Sequence, residues 1–407
     1  MKLRLLVQLG WRNLWRHKRR NGILLGGITF AIAAVVLANS FIRGMQVQMA
    51  DNAVDLMNGH VKILAPGYLD DPSIAQSFEV AQDWRPDALE GITSDMVAGW
   101  ASRVRVPAVI MSERETRGIQ LVGIDPASEN ISFVGKLAIQ GEGLADAADR
   151  RVIVGAGLAE RIETQVGRRI VLITQGADGR NREAGYRVAG IYRSDTSSLE
   201  KIFVFTGRDT VQDLLETNVV TELSVRLTEE RFSPPLLQRL ANVFAGLDVM
   251  TWQQLDPTAA AMTAIIDVVI LVYFFIMMGA LSFGLVNSLV TAVMERTREM
   301  GMMRAIGMRP RSVLLQVVLE STLIMGAGIA GGVVIGVLAY LPIADGVDLA
   351  AFNEALSTFG LSNVLVPQLF AQDVILVVVL SLILGFVASA SPAVRCMKMG
   401  PLEAMRR

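Results

Sequence analysis

The sequence predicts an α-helical membrane protein with four transmembrane helices. It also predicts a large α+β extracytoplasmic domain inserted between helices 1 and 2. Two observations carry this prediction. Hydrophobic residues make up 52% of the 407 residues and charged residues only 19%, which is unusual for a soluble protein of this length. The apolar residues also collect in four long runs, while the segment between the first two runs reads as an ordinary soluble domain.

The N-terminal segment, residues 1–20, predicts a cytoplasmic amphipathic helix. It is rich in Lys and Arg, and Trp11, Leu14 and Trp15 follow the i, i+3, i+4 spacing of one helix face, as in helices that lie on anionic lipid headgroups. Gly22–Ile42 then gives 21 residues without a charge. This run is longer than the apolar core of a signal peptide, and no small-residue cleavage site follows it. We therefore expect a retained first transmembrane helix at 21–43.

Residues 44–258 predict the extracytoplasmic core domain, large enough to hold its own core and to form two lobes. Helical patterns occur at Ala156–Glu163, Arg208–Leu215 and Pro234–Phe244, with Pro234 suited to a first helical turn. Short apolar or alternating runs predict these strands: His60–Ala65, Arg103–Met111, Thr116–Ile124, Arg151–Val154, Arg169–Thr174, Tyr186–Tyr192, Lys201–Phe205 and Leu223–Leu227.

Three further apolar runs predict the remaining membrane helices. Val268–Met294 and Val374–Val394 carry no charge, and Ser312–Ile343 carries only Glu320. The expected spans are 259–294, 311–343 and 374–394, and the second helix continues beyond the bilayer into the soluble domain. The third run is rich in glycine, which favours either close helix packing or a kinked helix. These glycines are Gly326, Gly328, Gly331, Gly332 and Gly336.

Lys and Arg near the span ends set the orientation. The first 20 residues carry seven of them, the segment between spans two and three carries five, and the tail at 395–407 carries four. The loop at 344–373 carries none. Both termini and the 295–310 segment are therefore expected in the cytoplasm, and the large domain outside. For a Gram-negative bacterium this means the inner membrane, with the domain in the periplasm.

The short cytoplasmic segment at 295–310 mixes charges of both signs with methionines and isoleucine. On a helical wheel of about 100° per residue, Arg298, Glu299 and Arg304 do not gather on one face. A helix resting on lipid segregates its faces, whereas a helix in a protein groove need not. The alternative is a solvated loop that only sets topology. Pro310 suits the start of the third membrane helix.

Three stretches then carry a family resemblance. Glu295–Gly307, ERTREMGMMRAIG, resembles the E-R-T-R-E-I-G-x-x-R-A-x-G segment of the FtsX/MacB-like ABC transporter permeases. Ser391–Arg406, SPAVRCMKMGPLEAMR, resembles the closing P-A-x-R-A-x-x-x-x-P-x-E-A-L-R of the same family. The third stretch starts with RVIVGAGLAER at Arg151–Arg161 and includes YRVAGIY at Tyr186–Tyr192, and it resembles the family's extracytoplasmic core domain. The layout is closest to the lipoprotein-releasing permeases LolC and LolE.

The resemblance implies that the 295–310 segment is a coupling helix that contacts an ATPase. Its matching positions are Glu295, Arg296, Arg298, Glu299, Gly301, Arg304 and Gly307; those of the tail motif are Pro392, Arg395, Pro401 and Leu402. No G-x-x-x-x-G-K-[ST] occurs in the sequence, so we expect no cofactor on this chain, with ATP and Mg²⁺ bound by a partner. The implied partners are two copies of an ABC ATPase, a second permease copy or paralogue, a periplasmic carrier or adaptor protein, and membrane lipid.

The expected function is that of a permease, not an enzyme, which couples ATP hydrolysis to release or translocation of a lipoprotein or lipid-linked cargo. Two alternatives stay open: a small-molecule or peptide exporter with an adaptor, and a mechanotransmission permease that switches a periplasmic partner. The net charge of −1 argues against a nucleic-acid partner, and one cysteine and two histidines argue against a disulfide framework or a zinc site. Asp267 lies at the outer end of its span, and Glu320 fits either a structural or border role or a polar contact across a dimer.

Overall fold

The computed structural model describes residues 18–81, 84–194, 199–295, 310–349, 351 and 364–398. The chain divides into two compact units. One, the sheet unit, contains Met49–Met262; the other, the helix unit, contains the long helices that precede and follow it. The helices are α1 (Lys18–Ala53), α2 (Ala156–Arg161), α3 (Leu199–Ile202), α4 (Arg208–Leu215), α5 (Ser233–Val243), α6 (Trp252–Leu255), α7 (Pro257–Glu295), α8 (Pro310–Tyr340) and α9 (Ala371–Lys398).

Ten strands form the mixed sheet of the sheet unit, and two more form a short pair near the end of the chain. They are β1 (Val61–Leu64), β2 (Val97–Met111), β3 (Thr116–Ile124), β4 (Ala138–Gly141), β5 (Arg151–Gly155), β6 (Arg169–Gln175), β7 (Asn181–Arg193), β8 (Phe203–Gly207), β9 (Glu222–Leu227), β10 (Asp248–Thr251), β11 (Val347–Asp348) and β12 (Val364–Leu365). The predicted α+β domain with a mixed sheet is therefore present.

Six of these strands form a closed ring in which each strand pairs with its two neighbours. The hydrogen-bonded cycle runs β2–β3–β8–β5–β7–β6 and returns to β2, with parallel pairs at β3–β8 and β5–β7. Alternating side chains of these strands point inward, since a strand sends successive residues to opposite faces. Val104, Val106, Leu121, Val154 and Leu172 form part of this interior, and α2 and α4 also contribute side chains to it.

A second core lies where β10, β1, β9 and the first half of β2 pair side by side. Val61, Leu223 and Val225 of these strands pack against Leu236 and Leu240 of α5. Strand β2 belongs to both cores. Its residues up to Arg103 pair with β9, and from Val104 onward it pairs with β3.

Most predicted elements of the domain are found where the pattern placed them. Thr116–Ile124 and Arg208–Leu215 have the predicted bounds, and Pro234 lies in the first turn of α5. The strand predicted to start at Lys201 is wrong at its beginning, because Lys201 lies in α3 and β8 starts at Phe203. Two short edge strands, β4 and β10, were not predicted from their patterns.

The glycines of α8 settle how that helix packs. A Cβ at Gly328, Gly332 or Gly336 would come within 3.0 Å of the side chains of Ile28, Ile32 and Val36 of α1, respectively. Both sets repeat every four residues, so they form one face on each helix. The glycine-rich run is thus a helix-packing face.

Three helices of the described residues are long and apolar enough to cross a bilayer: Asn21–Asn58, Pro257–Met277 and Thr322–Ile343. In α9, the stretch Ala371–Leu384 is apolar but shorter. The count of four spans stays a prediction.

Candidate functional site

A polar cluster joins three long helices at the end of α1 that leads into the sheet unit. We call it the polar clasp; it consists of Asn39, Arg43, Gln46, Asp267 and Asp373. Arg43 donates from Nε and Nη2 to the two oxygens of Asp373, at 2.8 and 3.1 Å, and from Nη1 to Asp267 at 2.7 Å. Asn39 also donates to Asp373, at 3.2 Å. One guanidinium therefore holds α1, α7 and α9 together.

Loss of one partner in the polar clasp would cost free energy, because it would leave a buried charge without compensation. Asp373 is 7% exposed, so its charge depends on Arg43 and Asn39 for compensation. Gln46 adds a bond from its amide nitrogen to Asp267 at 3.1 Å and another to the Thr263 carbonyl of α7 at 3.0 Å. Asp267, which the sequence places at the span border, is thus a partner of α1 within the same chain.

The backbone beside the polar clasp fits equally tightly. A Cβ at Gly44 would lie 2.4 Å from the Val366 carbonyl oxygen, so only glycine fits there. The amide of Gln368 donates to the Ser40 carbonyl at 2.8 Å. These contacts fix the segment before α9 against α1.

In the sheet unit, the chain leaving α1 and the chain entering α7 are paired strands. β1 follows α1 and β10 precedes α7, and they pair antiparallel with Val61 opposite Thr251. Trp252, which follows β10, packs with Ala53 and Val54 at the end of α1 and is 3% exposed. Its indole nitrogen donates to Glu230 at 3.1 Å. A displacement of either strand must therefore displace the other.

A buried ionic network surrounds the turn that ends α1. The π-helical turn Val54–Asn58 contains Met57 in the left-handed region, with φ 68°, which is strained for a non-glycine residue. The Met57 carbonyl accepts hydrogen bonds from Arg103 Nη1 and Ser224 Oγ, both at 2.9 Å. Arg103 is fully buried and also donates to Glu129 at 2.6 Å. The network therefore anchors this turn to β2 and β9.

The network continues to Lys62 of β1, whose Nζ lies 2.8 Å from Glu222. Burial alone would raise the pKa of Glu222, but the attraction of Lys62 and Arg103 outweighs it and holds that pKa below its usual range. Burial lowers the pKa of Lys62 despite the charge of Glu222. Arg103 lies at the point where β2 changes its partner from β9 to β3, so the charges sit between the two cores.

The residues predicted to contact an ATPase fall mostly outside the described part of the chain. Glu295 is the last residue of α7. Arg296, Arg298, Glu299, Gly301, Arg304 and Gly307 lie outside the described residues, as do Pro401 and Leu402. Pro392 and Arg395 lie within α9, and α8 begins at Pro310. The coupling role of these residues stays a prediction.

The polar clasp and the buried network were not predicted from the sequence. The two carboxylates that bind Arg43 lie 224 and 330 residues away along the chain. The available signal was an arginine directly after an uncharged run, together with acidic residues at the matching ends of the second and fourth runs.

Long apolar helices that carry a large α+β domain between them are typical of a multi-pass membrane protein. Comparison with known families agrees. Residues 22–242 match the MacB-like periplasmic core domain and residues 271–401 match the FtsX-like permease C-terminal domain. The chain belongs to this family of ABC transporter permeases.

The chain is similar to the following two curated relatives and one solved structure. LolC, the "lipoprotein-releasing system transmembrane protein" of Neisseria meningitidis serogroup B, is 25% identical, over 98% of each chain. MacB, the "macrolide export ATP-binding/permease protein" of Bdellovibrio bacteriovorus, is 23% identical over 98% of this chain and 61% of its own length. The extracellular domain of the transporter YknZ is 18% identical, with a TM-score of 0.34, and covers 48% of this chain and 100% of its own.

Proposed function

We propose that this chain is the inner-membrane permease of an ABC transporter driven by a separate ATPase, and that it releases or translocates a lipoprotein or lipid-linked cargo at the periplasmic face. The observation that carries the proposal is the match to LolC along nearly the whole of both chains. ATP and Mg²⁺ bind to the partner ATPases, which grip the 295–310 segment.

The helices suggest how the motion travels. α7 is one unbroken helix of 39 residues from Pro257 to Glu295, about 58 Å at 1.5 Å per residue. Its last residue begins the proposed coupling segment, and only Asp256 separates its first residue from α6. Displacement of the coupling segment thus moves Trp252 and β10.

The pairing of β10 with β1 then transmits the displacement to both chain connections of the sheet unit, the one from α1 and the one to α7. β10 moves with β1, and β1 carries the buried network through Lys62. The polar clasp keeps α1, α7 and α9 together during this movement. The sheet unit therefore moves as a consequence of ATPase closure. Its movement expels the cargo or reshapes the space around it.

The test is an ATP-dependent release assay. The chain is coexpressed with its ATPase, reconstituted into liposomes holding a fluorescent lipoprotein, and supplied with a soluble carrier protein. The expected result is ATP-dependent transfer of the lipoprotein to the soluble fraction. The cargo assignment is wrong if ATP hydrolysis proceeds and no lipoprotein leaves the membrane.

A matched pair of variants tests the transmission route. Trp252 and Gln253 donate to the same oxygen of Glu230, at 3.1 and 2.6 Å, but Trp252 is buried in the apolar cluster at the end of α1, whereas Gln253 is a partly exposed polar side chain. Trp252→Ala is expected to reduce release per ATP hydrolysed, while Gln253→Ala leaves this ratio unchanged. Equal ratios in both variants would contradict the route.

Export of a small molecule or peptide is the second candidate, because the similarity to the macrolide-export protein MacB extends over 98% of this chain. In the same liposomes, a macrolide or peptide that stimulates ATP hydrolysis in the absence of lipoprotein would favour this candidate.

A further inference from the structure

A polar pocket of about 410 Å³ lies in the sheet unit, beside α2, and its lining includes no residue of β1 or β10. Its walls come from α2, the turn that follows it, the end of β7, and β4. Ala156, Ala159 and Ile191 give it one apolar side. The remaining lining is polar or charged, which suits a small polar ligand.

Two arginines of this pocket have no carboxylate partner among the described residues. Arg168 and Arg193 both line it, and neither side chain forms an ion pair there. Some arginines of the same unit are paired, such as Arg151 with Asp149 at 2.8 Å, and Arg114, which also lines the pocket, with Glu163. Two guanidinium groups facing one pocket are suited to bind the oxygens of a phosphate or carboxylate.

Both arginines are held on rigid backbone. Arg168 precedes β6, and its amide and carbonyl bond to Gln165 at 3.1 Å and to Val188 at 2.9 Å. Arg193 is the last residue of β7 and pairs with Ala138 of β4. Ligand binding would thus require side-chain ordering but little backbone change, which lowers its entropic cost.

Thr164 supplies an independent observation. It is only 6% exposed, it lines the pocket, and its hydroxyl has no hydrogen-bond partner in the described part of the chain. The hydroxyl oxygen itself is not fully buried, so it is accessible to a ligand in the pocket. The preceding residue, Glu163, has φ 50°, a strained left-handed conformation that fixes Thr164 behind α2.

We propose that this pocket binds a small hydroxyl-bearing phosphate or carboxylate. Arg168 and Arg193 bind the anionic group, and Thr164 donates its hydroxyl to it. Glu160 also lines the pocket and accepts a hydrogen bond from a hydroxyl of the ligand, so a bare dianion is the weaker ligand. The site is separate from any cargo that the permease moves.

The test uses the full chain in phosphatidylcholine nanodiscs with sn-glycerol 3-phosphate as the probe, measured by isothermal calorimetry at constant ionic strength. Saturable binding is expected, and inorganic phosphate is expected to bind more weakly. Arg168→Gln/Arg193→Gln should weaken binding by at least ~10-fold, and Thr164→Val by several-fold.

Arg169→Gln/Arg187→Gln is the matched control. These arginines face each other on β6 and β7, are exposed, and do not line the pocket, so the variant removes the same charge from neighbouring parts of the sheet. Its affinity should equal that of the wild type. The proposal is overturned if the two double variants lose affinity equally, or if the wild type shows no saturable binding at millimolar probe.

Phosphatidylglycerol nanodiscs identify the source of the ligand. A soluble ligand predicts the same probe affinity in both lipids, whereas occupancy by a lipid headgroup predicts weaker apparent binding with phosphatidylglycerol. Either result supports a site for a hydroxyl-bearing phosphate.

Discussion

The polar clasp makes a prediction from the different exposure and bonding of its two carboxylates. Asp373 and Asp267 both accept from the guanidinium of Arg43, at 2.8 and 2.7 Å. Their side chains are 9% and 58% exposed, respectively. Replacing either one by asparagine keeps its shape and removes its charge. The two variants therefore compare a buried and an exposed partner of the same cation.

The expected difference is large. Removing the buried carboxylate leaves Arg43 without its shielded counter-charge, at a cost of about 3 kcal/mol, whereas an exposed pair is worth about 0.5 kcal/mol. For a unit of roughly 200 residues, these costs lower the Tm by on the order of 6–12 °C for Asp373→Asn and by about 1–2 °C for Asp267→Asn.

Thermal unfolding of the detergent-solubilised chain, followed by fluorescence size-exclusion chromatography, gives both Tm values. Insertion is checked in membranes before extraction. The ATPase activity of the reconstituted complex shows whether the weakened polar clasp also uncouples hydrolysis from release. If Asp267→Asn lowers the Tm as much as Asp373→Asn does, burial does not decide the strength of this cluster and the reasoning fails.

Two further predictions concern packing and pH. Gly332→Ala should lower the Tm because its Cβ would lie 2.6 Å from Ile32 Cβ, whereas Gly326→Ala, with open space at its Cβ, should leave it unchanged; equal Tm values would refute the packing face. Burial lowers the pKa of His60 from its usual 6.5, and its Nδ1 accepts from the Leu227 amide at 3.1 Å. The unfolded chain then binds the proton more tightly, so this contribution to stability is present above pH 6.5 and decreases as pH falls below it. His60→Asn should flatten the Tm change between pH 7 and 5, and an unchanged pH profile would exclude His60 as its source.

The fold was largely readable from the sequence where one pattern dominated. Thr116–Ile124 and Arg208–Leu215 have strong strand and helix periodicity, and their bounds are as predicted. β4 and β10 are four-residue edge strands, and none of their side chains is buried. Their sequences therefore lack the alternation of apolar and polar residues that marks a half-buried strand. Their positions depend on β7 and β1, which they pair with.

The polar groups were not readable in the same way. Arg103 begins a predicted strand and looks solvent-exposed in the sequence, yet it is fully buried because Glu129 and Glu222 converge on it from distant segments. Asp373 looks like a loop acid until α9 packs against α1. Tertiary contacts, not local pattern, set the role of these residues.

The central claim is that the 295–310 segment couples this permease to a separate ATPase, and copurification tests it most directly. Arg298→Glu/Arg304→Glu is coexpressed with the tagged ATPase beside the wild type, with Arg169→Glu/Arg187→Glu of the sheet unit as the charge-matched control. We expect the first variant to insert into the membrane without copurifying with the ATPase, and the control to copurify like the wild type. Copurification of Arg298→Glu/Arg304→Glu at the wild-type yield would contradict it.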